Sequence, residues 1–112
     1  MKYLKRGALA VTVALGLSGV AAATAGAHAY HPSDPSYAVG RPLYVRSCDD
    51  QVDGNRVRAW YRTITGDWAS PDWAPSNGCS SWHSPSGGNI ITHIRICVEN
   101  EGCGPWTNNI LL

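Results

Sequence analysis

The cysteines are the residues whose type and spacing predict the most definite chemistry in this sequence. Cys97 and Cys103 flank a polar turn at residues 100–102, and a hairpin there would bring their Cα atoms within the range that a disulfide requires. This pairing leaves Cys48 for Cys79. Because four cysteines allow three pairings, Cys48–Cys97 together with Cys79–Cys103 stays open as the alternative. An even number of cysteines in an exported chain is typical of structural disulfides rather than of a catalytic thiol.

The other residues of catalytic type do not form a catalytic pattern. The histidines beyond residue 30 match no metal-site spacing. There is no Gly-x-Ser-x-Gly turn to present a nucleophilic serine, and no pair of carboxylates lies in an apolar stretch that would raise a pKa. These histidines are His31, His83 and His93. The sequence therefore predicts a protein that is not an enzyme and that uses no cofactor and no metal.

An acidic cluster lies at residues 49–55, between two predicted strands. Asp49, Asp53 and Asn55 could supply oxygen ligands to calcium, but the spacing and the closing glutamate of a calcium-binding loop are missing. The preferred interpretation is a solvated loop.

The first 29 residues are typical of a secretory signal peptide. A basic start is followed by an apolar run at residues 8–20, which is too short to span a bilayer, and then by small residues. A cut after Ala29 is preferred, and a cut after Ala27 is the alternative. We therefore expect a secreted, extracellular protein whose mature chain begins near Tyr30.

The charge beyond this leader is slightly negative. Every lysine lies within the leader, so the remaining cations are six arginines, which stand against eight acidic residues. The formal charge of +1 for the whole chain is therefore contributed by the leader. This balance argues against nucleic acid and against a membrane surface as partners.

Residues 30–42 are predicted to be an extended N-terminal arm outside the core. The segment contains prolines and polar residues and has no apolar period. It nevertheless carries side chains that would order on binding a partner: Tyr37, Val39, Arg41, Pro42 and Leu43. Because a proline after arginine is a poor cut site for trypsin-like proteases, the arm could occupy such a cleft without being cleaved.

Residues 43–112 are predicted to form a β domain. Apolar and polar residues alternate with a period of two at residues 43–48, 56–64 and 89–98, short strands are expected at 79–83 and 107–112, and no helical period occurs. A domain this small buries little apolar surface, so disulfides would supply part of its stability. The prediction is an all-β fold, a small antiparallel sandwich or open barrel stapled by disulfides.

Tryptophan and arginine are the candidate binding residues. Along residues 56–64, Trp60 and Arg62 fall on the face opposite the predicted core face, and both residue types dominate protein–protein hot spots. Trp68 and Trp73 lie in a segment interrupted by prolines, which is predicted to be a loop or a broken edge strand, and they are expected to contact a partner. The other two tryptophans, Trp82 and Trp106, are expected to fill the core. Since tryptophan also stacks on sugars, a small carbohydrate-binding module stays open as an alternative.

Two late segments carry a family resemblance. They are Arg95-Ile96-Cys97-Val98-Glu99 and Cys103-Gly104-Pro105-Trp106. With the leader, the arm and the β domain, they resemble the small adaptor subunit, the B component, of secreted bacterial umbrella toxin particles. The resemblance implies a non-enzymatic adaptor in an antibacterial toxin complex. Such an adaptor links a lectin-bearing, protease-like subunit to the large repeat-containing subunit, and its arm enters the protease-like cleft.

A second resemblance is to secreted bacterial α-amylase inhibitors, which are also small β proteins with two disulfides. Their Trp-Arg-Tyr triplet appears here in a different order, as Trp60-Tyr61-Arg62, and the short loop from Cys97 to Cys103 departs from their cysteine spacing. An inhibitor of an amylase or a protease therefore stays open as a function class.

Overall fold

The computed structural model describes residues 26–52 and 54–110, and within these ranges the chain forms nine β-strands and no α-helix. The strands are β1 (Ala27–Tyr30), β2 (Tyr37–Gly40), β3 (Val45–Asp49), β4 (Val57–Thr63), β5 (Gly66–Ala69), β6 (Gly78–Cys79), β7 (His93–Val98), β8 (Gly102–Cys103) and β9 (Thr107–Asn108). A short 3-10 turn, Ser86–Gly88, precedes β7. The predicted all-β class is confirmed.

The strands form two antiparallel sheets that pack face to face as a curled sandwich. The first sheet has the order β1-β2-β3-β6. The second has the order β5-β4-β7, and both β8 and β9 pair with the other edge of β7. The long β4–β7 pair lies at the centre of the second sheet. It therefore determines which side chains lie on each face of that sheet.

The core lies between the sheets and follows the alternation of β4 and β7. Side chains of a strand point alternately to its two faces, so one set is buried and the other lies outside. The buried set is Val57, Ala59, Tyr61 and Thr63 of β4 with Ile94, Ile96 and Val98 of β7. The core face of β4 is the predicted one, opposite Trp60 and Arg62. Ile91 is also fully buried, because β7 begins only at His93 and the alternation of the strand does not extend back to it.

Residues 30–42 are not an arm outside the core, which corrects the prediction. They provide the end of β1 and all of β2, and these strands pair with each other and with β3. Ala29 and Ala38 are fully buried between the sheets. The prolines that indicated an extended arm lie in the loop between the two strands. β1 was missed because residues 27–29 were assigned to the predicted signal peptide, whereas they form a strand paired with β2. Alanine is also a weak strand signal.

Hydrogen bonds attach this β1–β2 hairpin to the second sheet. The Nδ2 atom of Asn109 donates to the carbonyl oxygens of Arg41 and Ile91, both at 2.9 Å. Gly40 lies against the Asn109 amide, so a side chain at position 40 would collide with it. Near the other end of the hairpin, His31 Nε2 is 3.2 Å from the carbonyl oxygen of Gly102. The hairpin is therefore an integral part of the sandwich.

The disulfides are Cys48–Cys79 and Cys97–Cys103, which confirms the preferred pairing and excludes the alternative. The first joins β3 to β6, and the second joins β7 to β8. Both link residues that are directly opposite each other in antiparallel pairs. Two such bonds indicate folding in an oxidising compartment.

Several predicted boundaries shift. The strand predicted to begin at residue 43 begins at Val45, and the one predicted at 79–83 is reduced to Gly78–Cys79 with an isolated bridge between His83 and Val45. Of the loop and the broken edge strand predicted around Trp68 and Trp73, the edge strand is correct for Trp68, which lies in β5 at the edge of the second sheet. Residues 1–25 of the predicted signal peptide and residues 111–112 of the predicted last strand lie outside the described residues. In the described part of the chain, no helix has the length and apolar character needed to cross a bilayer.

Candidate functional site

The outer face of the second sheet brings arginine and tryptophan side chains together. Across β4–β7, Trp60 lies opposite Arg95, and across β4–β5, Arg62 lies opposite Asp67. Side chains that are directly opposite in an antiparallel pair share a face. These four residues therefore point away from the core and can contact one another.

Trp106 reaches this face from the segment between β8 and β9 and lies between two arginines. The centre of its ring is 4.4 Å from the guanidinium carbon of Arg62 and 4.4 Å from that of Arg95. The guanidinium of Arg95 also lies 5.2 Å from the ring of Trp60. All three distances fall within the ~6 Å over which a cation is attracted to an aromatic face.

Trp73 repeats the arrangement at the other end of the face. Its ring centre is 4.1 Å from the guanidinium carbon of Arg56 and 4.4 Å from that of Arg58. We refer to the whole set as the Arg–Trp face: Arg56, Arg58, Trp60, Arg62, Trp73, Arg95 and Trp106.

An ion pair lies at each end of the Arg–Trp face. Arg62 donates through Nε to Asp67 Oδ1 at 2.6 Å and through Nη2 to Asp67 Oδ2 at 3.1 Å. Arg56 Nη2 donates to Glu99 Oε2 at 2.9 Å. These hydrogen bonds lower the pKa of Asp67 and of Glu99 and raise the pKa of both arginines. Arg56 and Arg62 therefore already form ion pairs with carboxylates.

Arg58 and Arg95 lie between these ends and are held by stacking. Both are half-buried, and neither forms an ion pair or a side-chain hydrogen bond with another described residue. The Nε atom of Arg95 is buried and also lacks an acceptor within the described ranges. A guanidinium has five N–H donors, so both side chains retain the capacity to bind carboxylates or carbonyl groups of a partner.

The predicted partner-binding residues do not form one continuous surface. Trp60, Arg62 and Trp73 come together on the Arg–Trp face, but Trp68 does not join them. Trp68 lies opposite Tyr61, on the inward side of β5, at an edge that leaves it 49% exposed.

The residues of the predicted arm lie on or after β2. Tyr37 is half-buried on the outer side of the first sheet, where its ring centre is 6.0 Å from that of Tyr30. Val39 is only 5% exposed, so its prediction as a contact residue is wrong. Arg41, Pro42 and Leu43 form the exposed or half-exposed connection that follows the strand.

The two tryptophans that were expected in the core lie on the surface instead. Trp82 is 41% exposed and stacks on Arg46, at 4.4 Å, beside the first sheet. Trp106 is half-buried on the Arg–Trp face. Aliphatic side chains and Tyr61 fill the space between the sheets, so neither indole is needed there.

Arg95 belongs to the Arg–Trp face but was not singled out by sequence reasoning. Its alternation with Ile94 and Ile96 was a usable signal, because it places Arg95 on the outer side of its strand. The sequence pattern does not specify the register between β4 and β7, which places Arg95 opposite Trp60.

The described part of the chain contains no group of three or more His, Cys, Asp or Glu side chains that could hold a metal. Among the residues considered as calcium ligands, Asp49 is buried and accepts hydrogen bonds from the Ser36 hydroxyl and the Gln51 backbone N–H. Asp53 lies outside the described residues.

Comparisons of the chain with protein-family models, with curated proteins and with solved structures found no match.

Proposed function

We propose that this protein is a secreted, non-enzymatic adaptor that binds other exported proteins through the Arg–Trp face. In the arrangement implied by the sequence resemblance, these partners are the lectin-bearing, protease-like subunit and the large repeat-containing subunit of an antibacterial toxin complex. The observation that carries the proposal is the ordered stacking of arginine and tryptophan on one face of a sheet that a disulfide crosslinks.

The composition and order of this face favour protein binding. Tryptophan and arginine are the residues most enriched in interface hot spots. Stacking already orders their side chains in the free protein. Ordering one flexible side chain on binding costs about 0.5–1.5 kcal/mol, so this part of the free-energy cost of binding is reduced. The β4–β7 pair beneath them is the longest in the sandwich and provides a rigid base.

The charge of the face indicates the chemistry of the partner. Four arginines and two paired carboxylates leave it positive, although the chain beyond the predicted leader is acidic. The two arginines without ion pairs, Arg58 and Arg95, lie between the tryptophans. We expect the partner surface to place carboxylates or free carbonyl oxygens against these two guanidinium groups.

An adaptor needs a second surface, and the edge of the first sheet can provide it. β1 pairs only with β2 in the described part of the chain, so no strand is hydrogen-bonded to its other side. A partner strand can add to such an edge. This surface replaces the extended arm, because the residues predicted for the arm are fixed in the sandwich.

Capture from culture medium tests the proposal. We expect the tagged wild-type protein to retain exported proteins of the two classes named above. The double variant Arg58→Gln/Arg95→Gln should lose at least one of them while its thermal unfolding stays close to that of the wild type. Arg46→Gln is the matched control, because Arg46 also stacks on a tryptophan but lies beside the other sheet.

Two results would contradict the proposal. One is equal capture by the double variant and by the wild type. The other is inhibition of an amylase or a protease by the purified protein alone, at concentrations where it captures no exported partner, which would support the inhibitor class instead.

A further inference from the structure

A cleft of about 260 Å³ opens at the edge of the second sheet, on the side opposite the Arg–Trp face. One wall is the β4–β5 hairpin, which contributes Tyr61, Thr63, Thr65 and Trp68. The other wall is the segment around the 3-10 turn, which contributes Pro85, Ser86 and Asn89.

Trp68 is the feature that distinguishes this cleft. In the described part of the chain, the rings of Trp60, Trp73, Trp82 and Trp106 are each covered by at least one guanidinium, whereas no guanidinium stacks on Trp68. Its side chain is 49% exposed although it lies on the inward side of β5. An uncovered indole in a concave site is available for stacking by a ligand.

The polar groups around this indole are hydroxyls and amides with remaining hydrogen-bonding capacity. The Thr63 and Thr65 hydroxyls bond to each other at 2.8 Å, and Asn89 donates to the Ser86 carbonyl at 3.2 Å. Each hydroxyl has one proton and two lone pairs, and the Asn89 side chain keeps its carbonyl oxygen as an acceptor. These groups can therefore bond to a ligand without losing their present partners.

The cleft carries no charge. All its lining residues are neutral, and burial raises the pKa of Tyr61, so its phenol stays protonated. The nearest charged neighbours along the chain, Arg62 and Asp67, lie on the opposite side of the sheet and pair with each other. A charged ligand would find no counter-charge here, whereas a neutral ligand with one apolar face and several hydroxyls matches every group present.

The geometry points to a binding site for one pyranose ring of a neutral glycan, stacked on Trp68 and hydrogen-bonded to Thr63, Thr65 and Asn89. The volume is below the ~300–1,000 Å³ of sites for drug-sized ligands, which fits a single ring rather than a longer segment. Trp73, which was predicted from the sequence as a contact residue together with Trp68, is excluded as a platform because Arg56 and Arg58 cover it. This site is independent of the adaptor function.

Nuclear magnetic resonance titration with neutral trisaccharides tests this inference. Maltotriose, chitotriose and mannotriose are added in turn to the ¹⁵N-labelled protein, with trigalacturonic acid as the charged comparison. We expect at least one neutral trisaccharide to cause saturable shifts at the amides of residues 63–68 and 86–89. Trp68→Ala should weaken that binding by about tenfold or more, which corresponds to ~1.4 kcal/mol.

Two further variants make the test specific. Trp82→Ala removes another half-exposed indole, on the first sheet, and should leave the affinity unchanged. Thr65→Val keeps the indole and removes one hydroxyl, so it should weaken binding without abolishing it. The inference is overturned if no neutral trisaccharide shifts these amides, if Trp68→Ala binds as tightly as the wild type, or if the charged trisaccharide binds most tightly.

Discussion

Asn109 joins parts of the chain that are far apart in sequence. It is 1% exposed, and its amide donates to the carbonyl oxygens of Arg41, which follows β2, and of Ile91, which precedes β7. Because the hydrogen bond to Ile91 is buried, water cannot readily replace the Asn109 amide at that carbonyl. One side chain therefore holds the β1–β2 hairpin against the second sheet.

We predict that Asn109→Ala lowers the free energy of unfolding by about 1–3 kcal/mol, the cost of leaving buried polar groups unpaired. Urea unfolding followed by tryptophan fluorescence measures the change. The neighbouring Asn108→Ala is the control, because Asn108 is exposed and, among the described residues, its side chain bonds only to the nearby backbone amide of Ile110. An equal loss in the two variants would argue against this role of Asn109.

The ion pair between Arg56 and Glu99 predicts a dependence of stability on pH. The hydrogen bond from Arg56 lowers the pKa of Glu99 in the folded state. A carboxylate with a lowered folded pKa contributes stability above its unfolded pKa, about 4.3 for glutamate. It loses that contribution as the pH falls through the folded pKa.

We therefore expect Glu99→Gln to melt at a lower temperature than the wild type at pH 7, by a small margin because the pair is exposed and screened. The difference should vanish at strongly acidic pH, where Glu99 is protonated. Thermal melts at the two pH values provide the measurement. A difference that persists unchanged in acid would show that the carboxylate charge is not its source.

At the scale of elements, the disulfides close loops of different length. Cys48–Cys79 spans 31 residues and Cys97–Cys103 spans 6. Chain-entropy estimates give about 4 kcal/mol for the longer loop and about 2 kcal/mol for the shorter one. We predict that Cys48→Ala/Cys79→Ala destabilises the protein more than Cys97→Ala/Cys103→Ala. Denaturant unfolding of both double variants decides this, and the reverse order would contradict the loop-length argument.

The parts of the fold that were predictable carry a strong period of two. β4 and β7 combine β-branched and apolar residues with polar ones in strict alternation, so both were correctly predicted as strands, and the core face of β4 was correctly predicted. β1 and β2 use alanine on the inward side, and an alternation of alanine with aromatic residues is a weak strand signal. They become strands because β3 offers an edge to pair with and because the space between the sheets accepts small side chains.

The candidate site was predictable only in part, for a similar reason. Trp60 and Arg62 were placed correctly because they alternate with core residues in the same strand. Trp73 and Trp106 come from irregular segments, whose path over the sheet depends on tertiary contacts. The register that sets Arg95 opposite Trp60 is also a tertiary property, and no local pattern specifies it.

At the scale of the whole molecule, the sandwich constrains where the mature chain can begin. β1 pairs Ala27 with Gly40, and Ala29, opposite Ala38, is fully buried. A cut after Ala29 would remove most of this strand, whereas a cut after Ala27 keeps its buried residue. We predict that the secreted protein begins at or before His28, as measured by intact mass. A main product that begins at Tyr30 and unfolds at the same temperature as a chain beginning at His28 would contradict this.

The central claim is that the Arg–Trp face is a partner-binding surface, and hydrogen–deuterium exchange with and without a captured partner tests it most directly. For at least one partner, the account predicts slower exchange on binding in three of the segments that build the face, residues 56–62, 93–97 and 104–108. Unchanged exchange in all three segments with every captured partner would contradict it.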